Sequence, residues 1–153
     1  MALSTIANGA SSGAAKAAVN AAIAQINANQ LATPLVVYVK NLTILTAATP
    51  ADLGTITVPT SWLTRYAITG GAIVAETAAG TLAGAALQLR SASAGGGTLL
   101  GTVSACPTAS SNHVAVAGSS NGVGSVATIY VHQTTNSANA GTISVYLILN
   151  PAL

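Results

Sequence analysis

Short apolar runs separated by turn-forming residues constrain the fold of this chain more than any other feature. From residue 33 onward, runs rich in Val, Ile, Leu and Thr alternate with clusters of Gly, Pro, Ser and Asn. About eight or nine such runs predict an all-β, sandwich-like domain. The predicted strands lie at 35–39, 42–45, 54–58, 66–69 with 72–75, 85–90, 98–103, 113–117, 126–132 and 142–149.

Two of these runs indicate how their strands are buried. Within 126–132, Ile129 and Val131 alternate with other residues, so they are expected to share one face. The run 142–149 is almost continuously apolar, which predicts a strand covered on both faces, either central in its sheet or at a contact between subunits. Tyr146, Leu147 and Leu149 are therefore candidate assembly contacts.

The first 32 residues have a different character. Residues 3–13 are rich in Ser, Asn and Gly, whereas residues 14–29 contain no Pro or Gly and are dominated by alanine, which predicts a helix. Val19, Ile23 and Ile26 form one narrow apolar stripe on that helix. A short helix needs a partner for such a stripe: the β domain, sister helices around an axis, or another protein. We expect an anchoring arm and helix at 1–32 and a β domain at 33–153.

Charge is scarce throughout the chain. Only 4% of residues are charged, against about 25% in a typical globular domain. Four scattered cations cannot neutralise a run of phosphates, so we expect no binding to nucleic acid. A neutral surface favours self-association, and it suits a protein that is held permanently in an assembly. The charged residues are Lys16, Lys40, Arg65, Arg90, Asp52 and Glu76.

The hydrophobic content of 51% raises the question of a membrane. A spanning helix needs about 20 mostly apolar residues, and the longest runs, 14–26 and 35–45, are shorter and contain Lys16 and Lys40. No cationic segment precedes an apolar one at the start of the chain, so we expect no signal peptide. The expected product is a protein made in a cytoplasm, with no membrane partner.

Residues suited to catalysis or metal binding are few. Asp52 is expected in a turn, and Glu76 at the end of a strand. His113, His132 and Cys106 lack the spacing of a zinc site, and Cys106 is expected to be a small buried hydrophobe. We therefore expect no catalytic residues, no metal and no cofactor. One alternative remains, a small hydrolase or lyase with a site around Cys106, His113 and Asp52.

The triple glycine at 95–97 lacks the Lys of a phosphate-binding loop and precedes a predicted strand, so it predicts a hairpin turn. It also belongs to a wider pattern. Residues 8–24 (NGASSGAAKAAVNAAIA) resemble the leader and helix of phage fibre and appendage proteins. Residues 64–69 (TRYAIT), 72–80 and 95–98 (GGGT) resemble the β-sandwich domain of tailed-bacteriophage virion proteins, of the head-decoration (cement) or fibre-associated type.

This resemblance implies a jelly-roll-like antiparallel sandwich and a structural, usually trimeric, virion protein without catalytic residues. Since the chain has no long repetitive shaft, the resemblance favours a decoration protein that binds the major capsid protein on the capsid surface and stabilises the head. The alternative is a tail-fibre or receptor-binding tip that contacts host glycan through loops 91–98, 119–124 and 134–141, with Trp62 as the one side chain suited to stack on a sugar.

Overall fold

The computed structural model describes residues 17–25, 33–47, 50–59, 65–120 and 122–152. The chain divides into two compact units, Met1–Thr33 and Pro34–Leu153. In the first unit, residues 17–25 form helix α1, on which Val19 is exposed and Ile23 is half-buried. The remainder of the predicted helix 14–29, with Ile26, and the leader at 3–13 lie outside the described residues.

The second unit consists of two antiparallel sheets, so the prediction of a mainly β, sandwich-like fold is confirmed. Sheet A has the order β1-β10-β3-β6, with β8 also paired to β3, and sheet B has the order β2-β9-β4-β5-β7. The strands are β1 (Leu35–Ile44), β2 (Ala51–Thr57), β3 (Tyr66–Ala78), β4 (Ala86–Arg90), β5 (Leu99–Val103), β6 (His113–Ala115), β7 (Ala117–Gly118), β8 (Val123–Gly124), β9 (Thr128–Thr135) and β10 (Gly141–Pro151).

The core lies between the two sheets and is built from alternate residues of their strands. Ile129 and Val131 of β9 both face it, as their alternation predicts. Strand β10 is central in sheet A, between β1 and β3, and sends Ile143, Val145, Leu147 and Leu149 into the core. Its opposite face is not covered in the same way, because Ile148 is exposed and Tyr146 half-exposed. The prediction of a central strand is confirmed by the strand order, and coverage of its second face by another subunit stays a prediction.

Two strands run through residues that the sequence marks as breaks. Strand β3 continues across Gly70 and Gly71, which join the runs predicted separately at 66–69 and 72–75. A side chain at Gly71 would collide with the carbonyl oxygen of Tyr146, so the glycine lets β3 lie close to β10. Strand β1 passes Lys40 and Asn41 as a bulge, in which Asn41 has φ 57°.

The triple glycine forms the hairpin between β4 and β5, as predicted. Gly95 and Gly97 have φ of 72° and 67°, a left-handed conformation that only glycine adopts without strain. The backbone N–H of Ser91 donates to the Thr98 carbonyl oxygen at 3.1 Å and closes the loop. The loop 91–98 thus leaves and re-enters sheet B at adjacent strands.

Candidate functional site

The residues proposed for a hydrolase site lie in three different surroundings. Cys106 belongs to the core, where burial raises the pKa of its thiol to about 12, so it stays protonated at neutral pH. His113 is exposed on β6, in sheet A. Asp52 lies in strand β2 of sheet B, not in a turn as expected, and it pairs with His132 instead of His113. The structure does not assemble Cys106, His113 and Asp52 into one site.

Asp52 and His132 form a pair on the outer face of sheet B. The β2–β9 register sets them side by side, with His132 Nδ1 2.6 Å from Asp52 Oδ1. The other carboxylate oxygen accepts the backbone N–H of Ala94 at 2.7 Å, and Gly95 packs against the imidazole ring. One carboxylate oxygen therefore holds the loop 91–98 against the sheet, and the other binds His132 of β9. Sequence patterns could not indicate this pair, because its members are 80 residues apart.

The outer face of sheet A carries three of the four exposed large hydrophobic side chains in the described part of the β unit. Val36 lies opposite Ile148, and Tyr38 lies opposite Tyr146, so all four point to the same side. Val36 and Tyr38 are each 59% exposed and Ile148 is 39% exposed. On the other side of β10, Gly70 lies opposite Ile148 and Ala72 opposite Tyr146. We call this surface, formed by Val36, Tyr38, Gly70, Ala72, Tyr146 and Ile148, the apolar face.

The two tyrosines of the apolar face contact each other. Their ring centroids are 5.8 Å apart and the planes are inclined by 29°, an offset stacked arrangement. Lys40 Nζ lies 5.6 Å from the centroid of the Tyr38 ring, within the range of a cation–π contact. Contiguous exposed apolar residues with tyrosine at their centre are typical of protein–protein contacts.

The only charged residues within the described strands of sheet A are Lys40 on β1 and Glu76 on β3. Glu76 lines an open pocket of about 560 Å³ at the end of sheet A where Thr43, Thr142 and Thr77 lie side by side. Hydroxyl groups dominate the rest of its polar lining, and Thr77 Oγ1 is 2.9 Å from Thr142 Oγ1. The other lining residues are Thr43, Ala78, Ala79, Ser110, Ala140 and Gly141.

The predicted assembly contacts divide between the interior and the surface. Tyr146 lies on the apolar face, whereas Leu147 and Leu149 are fully buried in the core of their own chain, so their side chains are not available to a partner in this fold. Of the helix residues, Val19 is exposed, Ile23 is half-buried, and Ile26 lies outside the described residues, as does Trp62. That Val19, Ile23, Ile26 or Tyr146 contacts another protein stays a prediction.

The sequence analysis missed Val36, Tyr38 and Ile148. The signal was present, because residues 35–39 are apolar at odd and even positions alike, which means that a strand buried on only one face must expose an apolar row. The pattern alone does not say which of the two rows is the exposed one.

Wider comparisons add no relative to these observations. Neither protein-family models, nor curated proteins, nor solved structures give a match to this chain. Among the described residues, no group of three or more His, Cys, Asp or Glu side chains is placed to hold a metal ion. No helix in the described part of the chain has both the length and the apolar character needed to cross a membrane.

Proposed function

We propose that this protein is a structural subunit of a symmetric assembly, and specifically a decoration (cement) protein on the head of a tailed bacteriophage. The apolar face is the observation that carries the proposal. Monomeric proteins rarely leave a contiguous row of large apolar side chains in water, and here Val36, Tyr38 and Ile148 are all exposed. Covering them would contribute roughly 25 cal/mol per Å² of apolar area removed from water.

The scarcity of charge supports the same role. With so few charges, the chain has little electrostatic repulsion to keep copies apart, and packing can hold them together at any ionic strength. A subunit that remains in an assembly tolerates such a surface better than a freely diffusing enzyme. No catalytic step, metal or cofactor is part of the proposal.

The strand order supports the finer fold assignment that the family resemblance implies. In a jelly roll, eight strands form two packed sheets through two Greek keys. The orders β1-β10-β3-β6 and β2-β9-β4-β5-β7 support this assignment, since the chain changes sheet between β1 and β2, β2 and β3, and β3 and β4. We propose a jelly roll that works as a trimer on the capsid surface, with residues 1–32 reaching the major capsid protein.

Reconstitution on heads tests this role. Full-length protein is added to heads from which the native copies have been removed. We expect saturable binding on the order of hundreds of copies in a fixed ratio to the capsid subunits, as the symmetry of a shell requires, and a higher melting temperature of the heads. Heads that bind no protein, or bind it without any gain in stability, would refute the decoration role.

The pocket beside Glu76 favours a second candidate, a fibre-tip protein that contacts host glycan. Thr77, Thr142 and Ser110 offer hydroxyl groups and Glu76 a carboxylate, which are groups that bind sugar hydroxyls. This role predicts that each virion carries few copies of the protein and that they are located at the tail. Binding to a glycan array should be lost in Glu76→Gln and kept in the control Gln88→Ala on sheet B. Loss of glycan binding in Trp62→Ala would also favour it.

A further inference from the structure

The two edges of the apolar face differ in the size of the side chains that they carry. Strand β1 contributes Val36 and Tyr38, which stand well above the sheet. Strand β3 contributes Gly70 and Ala72 at the same two levels, because Ile148 pairs with Val36 and Gly70, and Tyr146 pairs with Tyr38 and Ala72. One side of the face is therefore a ridge of large side chains, and the other side is a groove of small ones.

A second copy related by a twofold axis parallel to β10 would have a matching surface. The ridge of each copy would then lie over the groove of the other. Such a rotation keeps each level along the strands and reverses the order of strands across the sheet. Strand β1 of one copy then lies over β3 of the other, with Val36 above Gly70 and Tyr38 above Ala72. Two sheets packed in this way lie about 10 Å apart with their strands nearly aligned, as in the two layers of a sandwich.

The charges of sheet A fit the same rotation. Lys40 lies on β1 just beyond Tyr38, and Glu76 lies on β3 beyond Ala72, towards the same end of the sheet. Neighbouring strands are about 4.8 Å apart, so β10 separates the two groups within one copy. The rotation sets Lys40 of each copy over β3 of the other, on the side where Glu76 stands, which makes the face self-complementary in charge.

We propose that the apolar face binds the apolar face of a second copy of this chain, across a twofold axis parallel to β10. The inference rests on the proposed role as an assembling subunit and names the partner of this surface. The contact is isologous, so the ridge of each copy packs into the groove of the other. If the chain also forms trimers, this contact joins them in pairs, and the particle holds an even number of copies.

Filling the groove is the first test. In Gly70→Leu, the new Cβ meets only Ile148 Cδ1, at an ordinary contact distance of 3.8 Å, and the backbone of Gly70 is not in the left-handed region, so the chain is expected to fold. The leucine would occupy the space of the partner's Val36. Sedimentation equilibrium of the full chain should show self-association weakened by about tenfold or more. Thr55→Leu, on the exposed face of sheet B, is the matched control and should leave the association unchanged.

Charge reversal tests the register. Lys40→Glu and Glu76→Lys each place like charges opposite one another, so each single variant should weaken association several-fold. The double variant should restore association. Both the loss and the recovery should be larger at low salt. A chain that is monomeric at every concentration, or a double variant that fails to recover, overturns the twofold contact. Head binding by such a monomer would leave the decoration role intact, and a rescued dimer that binds no heads would refute that role alone.

Discussion

Gln133 shows how one side chain joins distant parts of this fold. It is fully buried on β9, yet its amide is satisfied: Oε1 accepts the N–H of Leu45 at 2.9 Å, and Nε2 donates to the carbonyl oxygens of Leu45 at 2.8 Å and Thr135 at 2.9 Å. The segment that leads from β1 towards β2 is thereby fixed to sheet B. Buried amides of this kind stabilise only when every partner is present.

Replacing Gln133 by Ala is expected to destabilise the β unit by about 2–4 kcal/mol, because a cavity replaces the amide and the N–H of Leu45 loses its acceptor. The carbonyl oxygen of Leu45 keeps only the N–H of Ser137 as a donor. Urea unfolding monitored by circular dichroism measures the change. The exposed Thr57→Ala on β2 is the control and should stay within about 0.5 kcal/mol of the native value. A loss in Gln133→Ala no larger than that of the control would contradict the assigned role.

Burial of two weak acids makes stability depend on pH in the alkaline range. Burial raises the pKa of the Cys106 thiol from 9.0 to about 12, and that of the Tyr66 hydroxyl from 10.0 to about 12. As the pH rises above about 9, the unfolded chain releases these protons before the folded chain does. Stability is therefore unaffected by these groups below pH 9 and falls as the pH rises towards 12.

The thiol contribution can be isolated with Cys106→Ala. The free energy of unfolding of the native chain should fall between pH 9 and 10, by at most about 1.4 kcal/mol per unit for this one group. The alanine variant should be less stable at pH 7 but show a smaller fall over that interval. Equal slopes for the two proteins would mean that the thiol of Cys106 is not protected from ionisation by the fold.

At the level of elements, the loop 91–98 is held in place by Asp52, a residue of a different strand, β2. Asp52 on β2 accepts from Ala94 and binds His132, so removing its carboxylate releases the loop and leaves a buried histidine without this partner. In Asp52→Ala we expect faster amide hydrogen exchange at 93–96 and a loss of about 1–3 kcal/mol in stability. Arg65→Ala, a change at an exposed charged residue, is the control. Unchanged amide hydrogen exchange at Ala94 would show that the carboxylate of Asp52 does not hold the loop.

The sequence predicts these elements well where the signal is local. Alternation in β9 identifies Ile129 and Val131 as core residues, and the triple glycine identifies the β4–β5 hairpin. The same local reasoning divides β3 at Gly70 and Gly71, because a glycine pair that marks a turn in most sequences here permits two strands to approach closely. The Asp52–His132 pair depends on register between strands far apart in the chain, which no local pattern contains.

At the scale of the whole molecule, we propose two separate binding surfaces: the apolar face binds another copy, and residues 1–32 bind the capsid. The β unit Pro34–Leu153 is compact by itself, with its own core. Deleting residues 1–32 should therefore leave a β-type circular dichroism spectrum and a cooperative unfolding transition, while binding to heads is lost. A truncated protein that still decorates heads normally would refute the anchoring role of the segment.

Composition predicted association but could not identify the surface. Scarce charge is a property of the entire chain, whereas the apolar face arises only when the register aligns Val36 with Ile148 and Tyr38 with Tyr146. The almost continuous apolar run in β10 indicated a central strand, and it is one, but the same pattern suits a strand that is covered by its own chain or by a partner. The pattern therefore does not distinguish the buried Leu147 and Leu149 from the half-exposed Tyr146.

Hydroxyl-radical footprinting of the tyrosines tests most directly whether protein covers the apolar face in the working state. We expect the oxidation of Tyr38 and Tyr146 to fall as the concentration of the full chain rises, and to remain low on heads. Oxidation of Tyr130, half-buried on sheet B, should stay constant and serves as the internal control. Labelling of Tyr38 that is equally strong in dilute solution, in concentrated solution and on heads would contradict the account.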